Sequence, residues 1–219
     1  MSLNIAIDGP TAAGKGTIAK ELALRLNYKY LDTGVMYRCV AYNALKNNVK
    51  LNDEVKIASL IKKMDLRIEK SNIILNGVDV TSAIRDLEIS SAASEVAKLV
   101  SVRNEMVSLQ RDIAKDRGIV MDGRDIGTVV LPDADLKIFL TADPKVRAMR
   151  RYLEYKKNGV DCELEELVDQ INKRDFQDSN REISPLKKAE DAIELDTSNL
   201  TIEEVVSDIE KLVLKKELR

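Results

Sequence analysis

Residues 9–17 decide the fold and have the sequence Gly9-Pro10-Thr11-Ala12-Ala13-Gly14-Lys15-Gly16-Thr17. An apolar run at residues 3–7 comes before them and predicts a short buried strand, and an apolar-periodic run at residues 18–26 comes after them and predicts a helix. A Gly-x-x-x-x-Gly-Lys loop between a strand and a helix is typical of a phosphate-binding loop. Its glycines let successive backbone N–H groups surround an anion, and the helix N-terminus adds partial positive charge. We therefore expect residues 9–17 to bind phosphate groups.

Two side chains of this loop carry chemistry. Lys15 can reach the outer phosphates of a nucleoside triphosphate such as ATP, and the Thr17 hydroxyl can be a ligand of Mg²⁺. The general pattern has Ser or Thr beside the lysine, whereas this chain has Gly16 followed by Thr17. That variant recurs in kinases of small molecules, so it changes the predicted subclass only. The alternative, a chance glycine turn, does not explain a strand and a helix on the correct sides.

Composition excludes several classes of function. The 219 residues can bury one sizeable core, and 35 basic against 37 acidic residues (net charge −2) leave no bulk surface for a nucleic acid polymer. The chain has no histidine, which rules out His-based triads and His-ligated zinc, and its two cysteines, Cys39 and Cys162, are too far apart in sequence for a disulfide framework. No apolar run approaches the roughly 18 residues of a membrane span, and no leader pattern precedes the first strand. We expect a soluble, cytoplasmic, monomeric protein that binds small molecules and no membrane.

Strand and helix patterns alternate along the chain, which predicts an α/β fold with a parallel sheet and helices on both faces. Further strands are predicted at residues 28–31, 119–121, 136–140 and 192–195, and helices at about 36–46, at about 91–116, from Asp143-Pro144 and from the capping box of Thr201 and Glu204. Three very short β-like runs, 66–69, 73–75 and 78–80, interrupt the alternation and predict a small antiparallel meander. The expected organisation is a P-loop core, 1–55 and 90–219, with an insertion at 56–89.

Polar clusters follow three of the predicted strands. They are the loop 9–17, Asp32 with Tyr37 and Arg38, and Asp122 with Arg124 and Asp125. Ligands of open α/β sheets bind at the carboxyl ends of strands, so these clusters are candidates for one site. Asp122 ends its strand as an aspartate that organises Mg²⁺ would. The alternative for Asp122 is an ordinary turn aspartate, since Asp often opens turns.

Arginine is the second candidate group. Five arginines lie near the ends of predicted segments: Arg38, Arg103, Arg124, Arg174 and Arg181. A guanidinium binds phosphate bidentately and stays charged, which suits a doubly anionic acceptor and a phosphoryl group in transfer. Three more share one helix face at i, i+3 and i+4: Arg147, Arg150 and Arg151. This face predicts either a lid over a triphosphate or a solvated face that pairs with Glu154.

One short motif points to a different class. Residues 172–175, Asn-Lys-Arg-Asp, match the guanine-binding pattern of GTPases. In GTPases that pattern ends a buried strand, whereas here it follows the amphipathic run 164–171, and no Asp-x-x-Gly element follows a strand. The alternating charges of residues 174–181, taken alone, predict an exposed loop.

The assembled motifs resemble those of nucleoside monophosphate kinases, and specifically of the bacterial cytidylate kinase family. In order, the matching segments are residues 8–17, residues 31–38 (Leu-Asp-Thr-Gly-Val-Met-Tyr-Arg), Ala92-Ala93-Ser94 with Val102-Arg103, residues 122–128 (Asp-Gly-Arg-Asp-Ile-Gly-Thr), and Arg174 to Arg181 before Pro185-Leu186. They extend over nearly the whole chain, and the meander resembles the enlarged monophosphate-binding domain of that family. Residue 12 is Ala where several members have Gly, which has no consequence if its φ is negative.

The resemblance implies transfer of the ATP γ-phosphoryl group to CMP or dCMP, with Mg²⁺. It implies catalytic roles for Lys15, Asp122, Arg124 and Arg181, and triphosphate binding by residues 9–17 with Arg147 and Arg151 in a lid near 144–182. It also implies that Arg38, Arg124 and Arg181 hold the acceptor phosphate, that Ser94, Arg103 and Asp125 bind cytosine, that Arg174 and Asp178 contact the sugar, and that Thr33 and Tyr37 belong to the acceptor site.

This chemistry needs no general base, because a phosphate oxygen is already anionic, and the lack of histidine is consistent with it. Two alternatives remain open from the residues. A P-loop kinase with a hydroxyl acceptor, such as shikimate kinase, would profit from a carboxylate base and would need fewer arginines. A nucleotide-switched regulatory module would hydrolyse slowly and would show no turnover that depends on an acceptor.

Overall fold

The structure, a computed structural model, describes residues 2–69, 72–157 and 159–218. By packing, the chain divides into one unit of residues 1–31 and 114–219 and a second unit of residues 32–113. The strands are β1 (Asn4–Asp8), β2 (Lys29–Asp32), β3 (Leu66–Glu69), β4 (Asn72–Leu75), β5 (Val78–Asp79), β6 (Ile119–Gly123), β7 (Leu136–Thr141) and β8 (Ile193–Asp196). The α-helices are α1 (Lys15–Leu26), α2 (Thr33–Lys46), α3 (Glu54–Lys62), α4 (Leu87–Val96), α5 (Val100–Ala114), α6 (Pro144–Lys157), α7 (Leu164–Ser179) and α8 (Ile202–Glu217). Within the described ranges, no helix is long and apolar enough to cross a membrane.

The larger sheet has β1 at its centre. Over the described residues its strand order is β2-β6-β1-β7-β8, and β1 runs parallel to both β6 and β7, with Asp8 beside Gly123 and Phe139. Strand β8 runs parallel to β7. The three central strands, β6, β1 and β7, consist mostly of apolar residues, as buried parallel strands do. The predicted α/β fold with a parallel sheet is confirmed, and the register brings the carboxyl ends of β1 and β6 side by side.

Helices α1 and α8 pack on this sheet. Their buried faces meet the sheet in a core of aliphatic side chains that includes Ile5, Ile7, Leu22, Ile138, Leu140 and Ile209. Helix α8 begins with the predicted capping box, in which the Glu204 N–H donates to Thr201 Oγ1 at 3.2 Å and the Thr201 N–H donates to Glu204 Oε2 at 2.8 Å. Two donors that a helix N-terminus would otherwise expose are thereby satisfied.

Helices α6 and α7 form a hairpin in the first unit. Ala148 of α6 is buried against Leu167 and Ile171 of α7. Helix α6 begins after Asp143, whose Oδ1 accepts the Lys145 N–H at 2.8 Å, as the Asp-Pro pair predicted. Residues 174–181, which taken alone would pass for an exposed loop, are helical as far as Ser179, because the amphipathic pattern that starts at Leu164 continues α7 to that residue. The Asn-Lys-Arg-Asp motif is therefore helical, so the context of the GTPase motif is absent.

The second unit contains the antiparallel meander that the sequence predicted. Strand β4 pairs with β3 and with β5, and its buried Ile73 and Leu75 pack with Cys39 of α2. Helix α2 begins at Thr33, three residues before the predicted start, because Asp32 Oδ1 accepts the Val35 N–H at 2.9 Å and caps the helix. The boundaries 56–89 of the insertion stay a prediction.

The single helix predicted at about 91–116 is wrong, since residues 97–99 separate α4 from α5. In a continuous helix the Ser101 N–H would donate to the Ala97 carbonyl, but here each of these two groups is hydrogen-bonded to a side chain instead. Arg103 Nη1 donates to the carbonyl of Ala97 at 3.2 Å, and the Ser101 N–H donates to Glu54 Oε1. Hydrophobic periodicity does not reveal either interaction, because the donor, Arg103, and the acceptor, Glu54, lie outside residues 97–99.

Candidate active site

The glycine-rich loop leaves β1 at Asp8 and enters α1 at Lys15. Gly9 has φ +150°, and a Cβ built there would lie 2.1 Å from the Leu140 carbonyl oxygen. Gly14, the residue before α1, has φ +88°. Ala12 has φ +58°. Alanine in place of glycine would have had no consequence only at a negative φ, so this condition is not met. An alanine in this left-handed region is strained by about 1–2 kcal/mol, whereas glycine is not.

Lys15 is buried at the start of α1. Its Nζ donates to the Pro10 carbonyl oxygen at 2.7 Å, so the side chain folds back over its own loop. The pKa of Lys15 is lowered to about 7, mainly by burial and also by the nearby Arg124, while Asp122 and Asp8 oppose the shift. The amine is therefore poised to gain a full charge when a phosphate group replaces the carbonyl as its partner.

Asp8 was given no role from the sequence, although it directly precedes Gly9 and begins the matching segment 8–17. Its carboxylate accepts the N–H groups of Ile126 and Gly127 at 2.8 and 2.7 Å. Burial raises the pKa of Asp8 to about 6, although these two hydrogen bonds oppose the shift. The carboxylate ties β1 to a single π-helical turn, residues 126–130, that follows Asp125. Such turns often occur at functional sites.

Asp122 lies at the end of β6, buried, where the sequence placed it. The Tyr30 hydroxyl donates to Asp122 Oδ1 at 2.9 Å, a contact that sequence reasoning did not find. A Cβ at Gly16 would lie 3.3 Å from the same tyrosine oxygen, so the small residue at this position leaves room for Tyr30. Thr17 is exposed in the first turn of α1.

Arg124 and Arg181 meet at one buried carboxylate. Asp178, which is 2% exposed, accepts Arg124 Nε through Oδ2 at 2.8 Å and Arg181 Nη2 through Oδ1. Burial raises the pKa of Asp178, but Arg124 and Arg181 more than compensate, and the pKa ends below its usual value. The site thus holds two guanidinium groups around one ionised carboxylate, next to the loop.

The three arginines of α6 do not share one partner. Arg147 is buried and donates from Nε to the Ala142 carbonyl at 2.8 Å, and from Nη1 to Asp175 and to the Thr11 carbonyl. Arg150 binds Thr197 through Oγ1 and the carbonyl. Arg151 lies 3.6 Å from Glu154, the pairing that the solvated alternative predicted. Whether Arg147 and Arg151 also contact a triphosphate stays a prediction.

The other predicted acceptor residues lie in the unit 32–113: Thr33, Tyr37, Arg38, Ser94 and Arg103. The Arg103 guanidinium lies over the Tyr37 ring, 5.5 Å from its centroid, and both residues are buried. Arg38 Nη2 lies 3.5 Å from Asp32 Oδ2, and Arg38 Nε is buried with no hydrogen-bond partner among the described residues. Ser94 Oγ donates to the Ser90 carbonyl at 3.4 Å.

The remaining predicted residues belong to the first unit: residues 9–17, Asp122, Arg124, Asp125, Arg147, Arg151, Arg174, Asp178 and Arg181. Asp125 is buried, and its carbonyl accepts the Val129 N–H at 2.8 Å. Asp175 of α7 was not predicted, yet its Oδ1 accepts the Thr11 N–H at 3.0 Å. Its position beside Arg174, in a segment already singled out, was the available signal.

A glycine-rich loop between a parallel strand and a helix, with a lysine at the helix start and arginines nearby, defines a P-loop kinase. Solved structures agree on the fold. A shikimate kinase from Bacteroides thetaiotaomicron matches with a TM-score of 0.50 and 14% identity, over 97% of this chain and 99% of its own. An uncharacterized protein from Eubacterium ventriosum ATCC 27560 matches with a TM-score of 0.53 and 13% identity, over 98% and 99%.

Sequence comparison narrows this class to a family. The cytidylate kinase family model matches residues 5–215. A cytidylate kinase of Bacillus subtilis (strain 168) is 51% identical over 98% of this chain and 97% of its own length, and one of Geobacillus sp. (strain WCH70) is 52% identical over 97% and 96%. One of Caldicellulosiruptor saccharolyticus is 48% identical over 97% and 96%. The chain belongs to the cytidylate kinase family.

Proposed function

We propose that the protein transfers the γ-phosphoryl group of ATP to CMP and dCMP, giving ADP with CDP or dCDP. One observation carries the proposal on the structural side. Arg124, paired through Asp178 with Arg181, is also hydrogen-bonded to the glycine-rich loop, through Thr11 Oγ1 at 2.9 Å. Cations suited to an acceptor phosphate therefore directly adjoin the loop suited to the donor phosphates, as in-line phosphoryl transfer requires.

Catalysis in this proposal is positioning and charge stabilisation. Lys15, released from the Pro10 carbonyl, binds the outer phosphates of the donor, and the guanidinium groups of Arg124 and Arg181 hold the acceptor phosphate. Because that acceptor is already anionic, no residue has to remove a proton from it. Arginine suits this role better than lysine, since its planar fork binds two phosphate oxygens at once.

The residues at the loop fit Mg²⁺. Mg²⁺ keeps several waters and takes one or two protein oxygens plus phosphate oxygens, so a carboxylate with a hydroxyl is a sufficient set. Asp122 supplies a buried carboxylate, held by Tyr30, and Thr17 supplies an exposed hydroxyl on α1. When bound, Mg²⁺ would neutralise charge on the transferring phosphates.

Cytosine recognition is assigned to Ser94, Arg103 and Asp125. Cytosine presents an amino donor beside the N3 and O2 acceptors, so a carboxylate together with a guanidinium complements its edge. Uracil would leave a buried polar group unpaired and be rejected. We assign Arg174 and Asp178 to the sugar; each carboxylate oxygen of Asp178 retains a second lone pair beyond its arginine contact. We assign Arg38, like Arg124 and Arg181, to the acceptor phosphate, and we assign Thr33 and Tyr37 to binding of the acceptor nucleotide.

We further infer a monomeric, cytoplasmic enzyme whose lid is the α6–α7 hairpin, near residues 144–182. The hairpin supports this role because Asp175 and Arg147 contact the loop at Thr11 directly. Closure of such a lid would exclude water and suppress hydrolysis of ATP.

The test is ADP release from Mg·ATP with CMP, dCMP, UMP, AMP, GMP and shikimate as separate acceptors. We expect strong turnover with CMP and dCMP, weak turnover with UMP, and none with the others. Turnover confined to shikimate or another acceptor would leave the fold and refute the base assignments. Slow hydrolysis that ignores every acceptor would favour the nucleotide-switched module instead.

A pair of variants tests how the roles are divided. Arg181→Ala and Asp125→Ala should both lower turnover, because one removes a phosphate contact and the other a base contact. Only Asp125→Ala should narrow the difference between CMP and UMP in kcat/KM, since the phosphate is common to both nucleotides. Equal loss of selectivity in both variants would contradict the division.

A further inference from the structure

Thr11 is bound through all three of its polar groups, each by a different side chain. Its N–H donates to Asp175 Oδ1 at 3.0 Å, and its carbonyl accepts Arg147 Nη1 at 2.9 Å. Its hydroxyl accepts Arg124 Nη2 at 2.9 Å. The first two contacts use only backbone groups of Thr11, so they do not depend on its side chain. The hydroxyl contact alone depends on the side chain being Thr or Ser.

That hydroxyl fixes one side of the Arg124 guanidinium. Of its five N–H groups, Nε donates to Asp178 Oδ2 at 2.8 Å, one Nη2 hydrogen to Thr11 Oγ1, and one Nη1 hydrogen weakly to the Gly123 carbonyl at 3.4 Å. A planar group held at Nε and at Nη2 can no longer rotate about its long side chain. Two N–H groups are left over from these contacts, enough for the bidentate grip of a phosphate.

We propose that the Thr11 hydroxyl is a positioning residue for the acceptor phosphate: it holds Arg124 in the orientation that binds CMP. The inference rests on the proposed function and deepens it. The phosphate-binding loop thereby has two tasks, since its backbone receives the donor while the side chain at its third position aligns the cation for the acceptor. Ordering Arg124 in advance removes a conformational cost from acceptor binding, because a free arginine would lose rotamer freedom on binding phosphate.

The test compares Thr11→Val, Thr11→Ser and Thr128→Val. Valine keeps the branched shape and removes only the hydroxyl, and serine restores a hydroxyl. Thr128 is the matched control, because its buried hydroxyl has no hydrogen-bond partner among the described residues. We expect Thr11→Val to raise the KM for CMP about 10-fold, the effect of a charged donor losing one hydrogen bond. The KM for ATP should change less than about twofold, Thr11→Ser should return the KM for CMP to near the wild-type value, and Thr128→Val should leave both unchanged.

A double-mutant cycle with Arg124→Ala separates positioning from a general effect on the loop. If Thr11 acts through Arg124, Thr11→Val should change the KM for CMP by less than about twofold once Arg124 is gone. Independent, multiplicative effects, or a rise in the KM for ATP equal to that for CMP, would overturn the inference while the proposed function stands. A wild-type protein with no CMP-dependent turnover would overturn both. If the valine variant does not fold, Thr11→Ala set beside Thr11→Ser gives the same comparison.

Discussion

Asp178→Asn should destabilise the protein by about 3 kcal/mol, because one buried carboxylate balances two guanidinium groups. At a charge separation of about 4 Å and an effective permittivity of 20, each pair is worth about 4 kcal/mol before desolvation is subtracted. Breaking a buried pair by removing one partner typically costs about 3–5 kcal/mol. Asparagine preserves the volume, but its amide nitrogen is a donor facing a cation, so only one of Arg124 and Arg181 keeps an acceptor.

The assay is urea denaturation with and without inorganic phosphate. In Asp178→Asn both guanidinium groups lose their counter-charge, so phosphate should stabilise this variant at lower concentration than it stabilises the wild type. Asp208→Asn is the control, since Asp208 makes an exposed pair with Lys211 at 2.8 Å and should cost less than about 1 kcal/mol. A loss for Asp178→Asn no larger than the control, with an unchanged response to phosphate, would refute the bridging role.

Three further predictions concern the loop. Gly9→Ala should cost about 4 kcal/mol in urea denaturation, because its Cβ would meet the Leu140 carbonyl at 2.1 Å, whereas Gly77→Ala, also at positive φ but with no atom within 4 Å, should cost only about 1 kcal/mol. Ala12→Gly should raise the free energy of unfolding by about 0.5 kcal/mol, since relief at φ +58° slightly exceeds the entropy of an added glycine; a loss of 1 kcal/mol would contradict this. With a Lys15 pKa of about 7, the amine is about nine-tenths neutral at pH 8, so Mg·ATP binding should take up close to one proton at pH 8 and little at pH 6. Calorimetry in buffers of different ionisation enthalpy measures this uptake, and Lys15→Arg should abolish it.

The phosphate-binding loop could be predicted from the sequence because its chemistry is contiguous. Nine neighbouring residues mark the loop and the position of Lys15, and the strand and helix on either side follow from hydrophobic periodicity. The same holds for the capping box of Thr201 and Glu204, which needs residues only three apart.

Long-range side-chain contacts to the backbone could not be predicted. The contact of Asp175 with the Thr11 N–H joins residues 164 positions apart, and the sequence around Asp175 does not indicate that Thr11 is its partner. The positive φ of Ala12 is another such case, because alanine gives no sign of a left-handed backbone where glycine would. In the predicted sites, the residue types indicated the chemistry, but the sequence did not indicate which residues contact each other.

The break between α4 and α5 has a consequence for redesigning base selectivity. Arg103, assigned to cytosine, also donates a hydrogen bond to the Ala97 carbonyl, and Glu54 accepts one from the Ser101 N–H. Replacing Arg103 to admit another base would free that carbonyl and favour one continuous helix, which would shift every side chain after residue 97 around the helix axis. A library that varies Arg103 alone would therefore confound altered recognition with altered backbone. A change of base selectivity therefore calls for joint variation of Arg103 and Glu54, because the break between α4 and α5 also determines where the side chains of α5 lie.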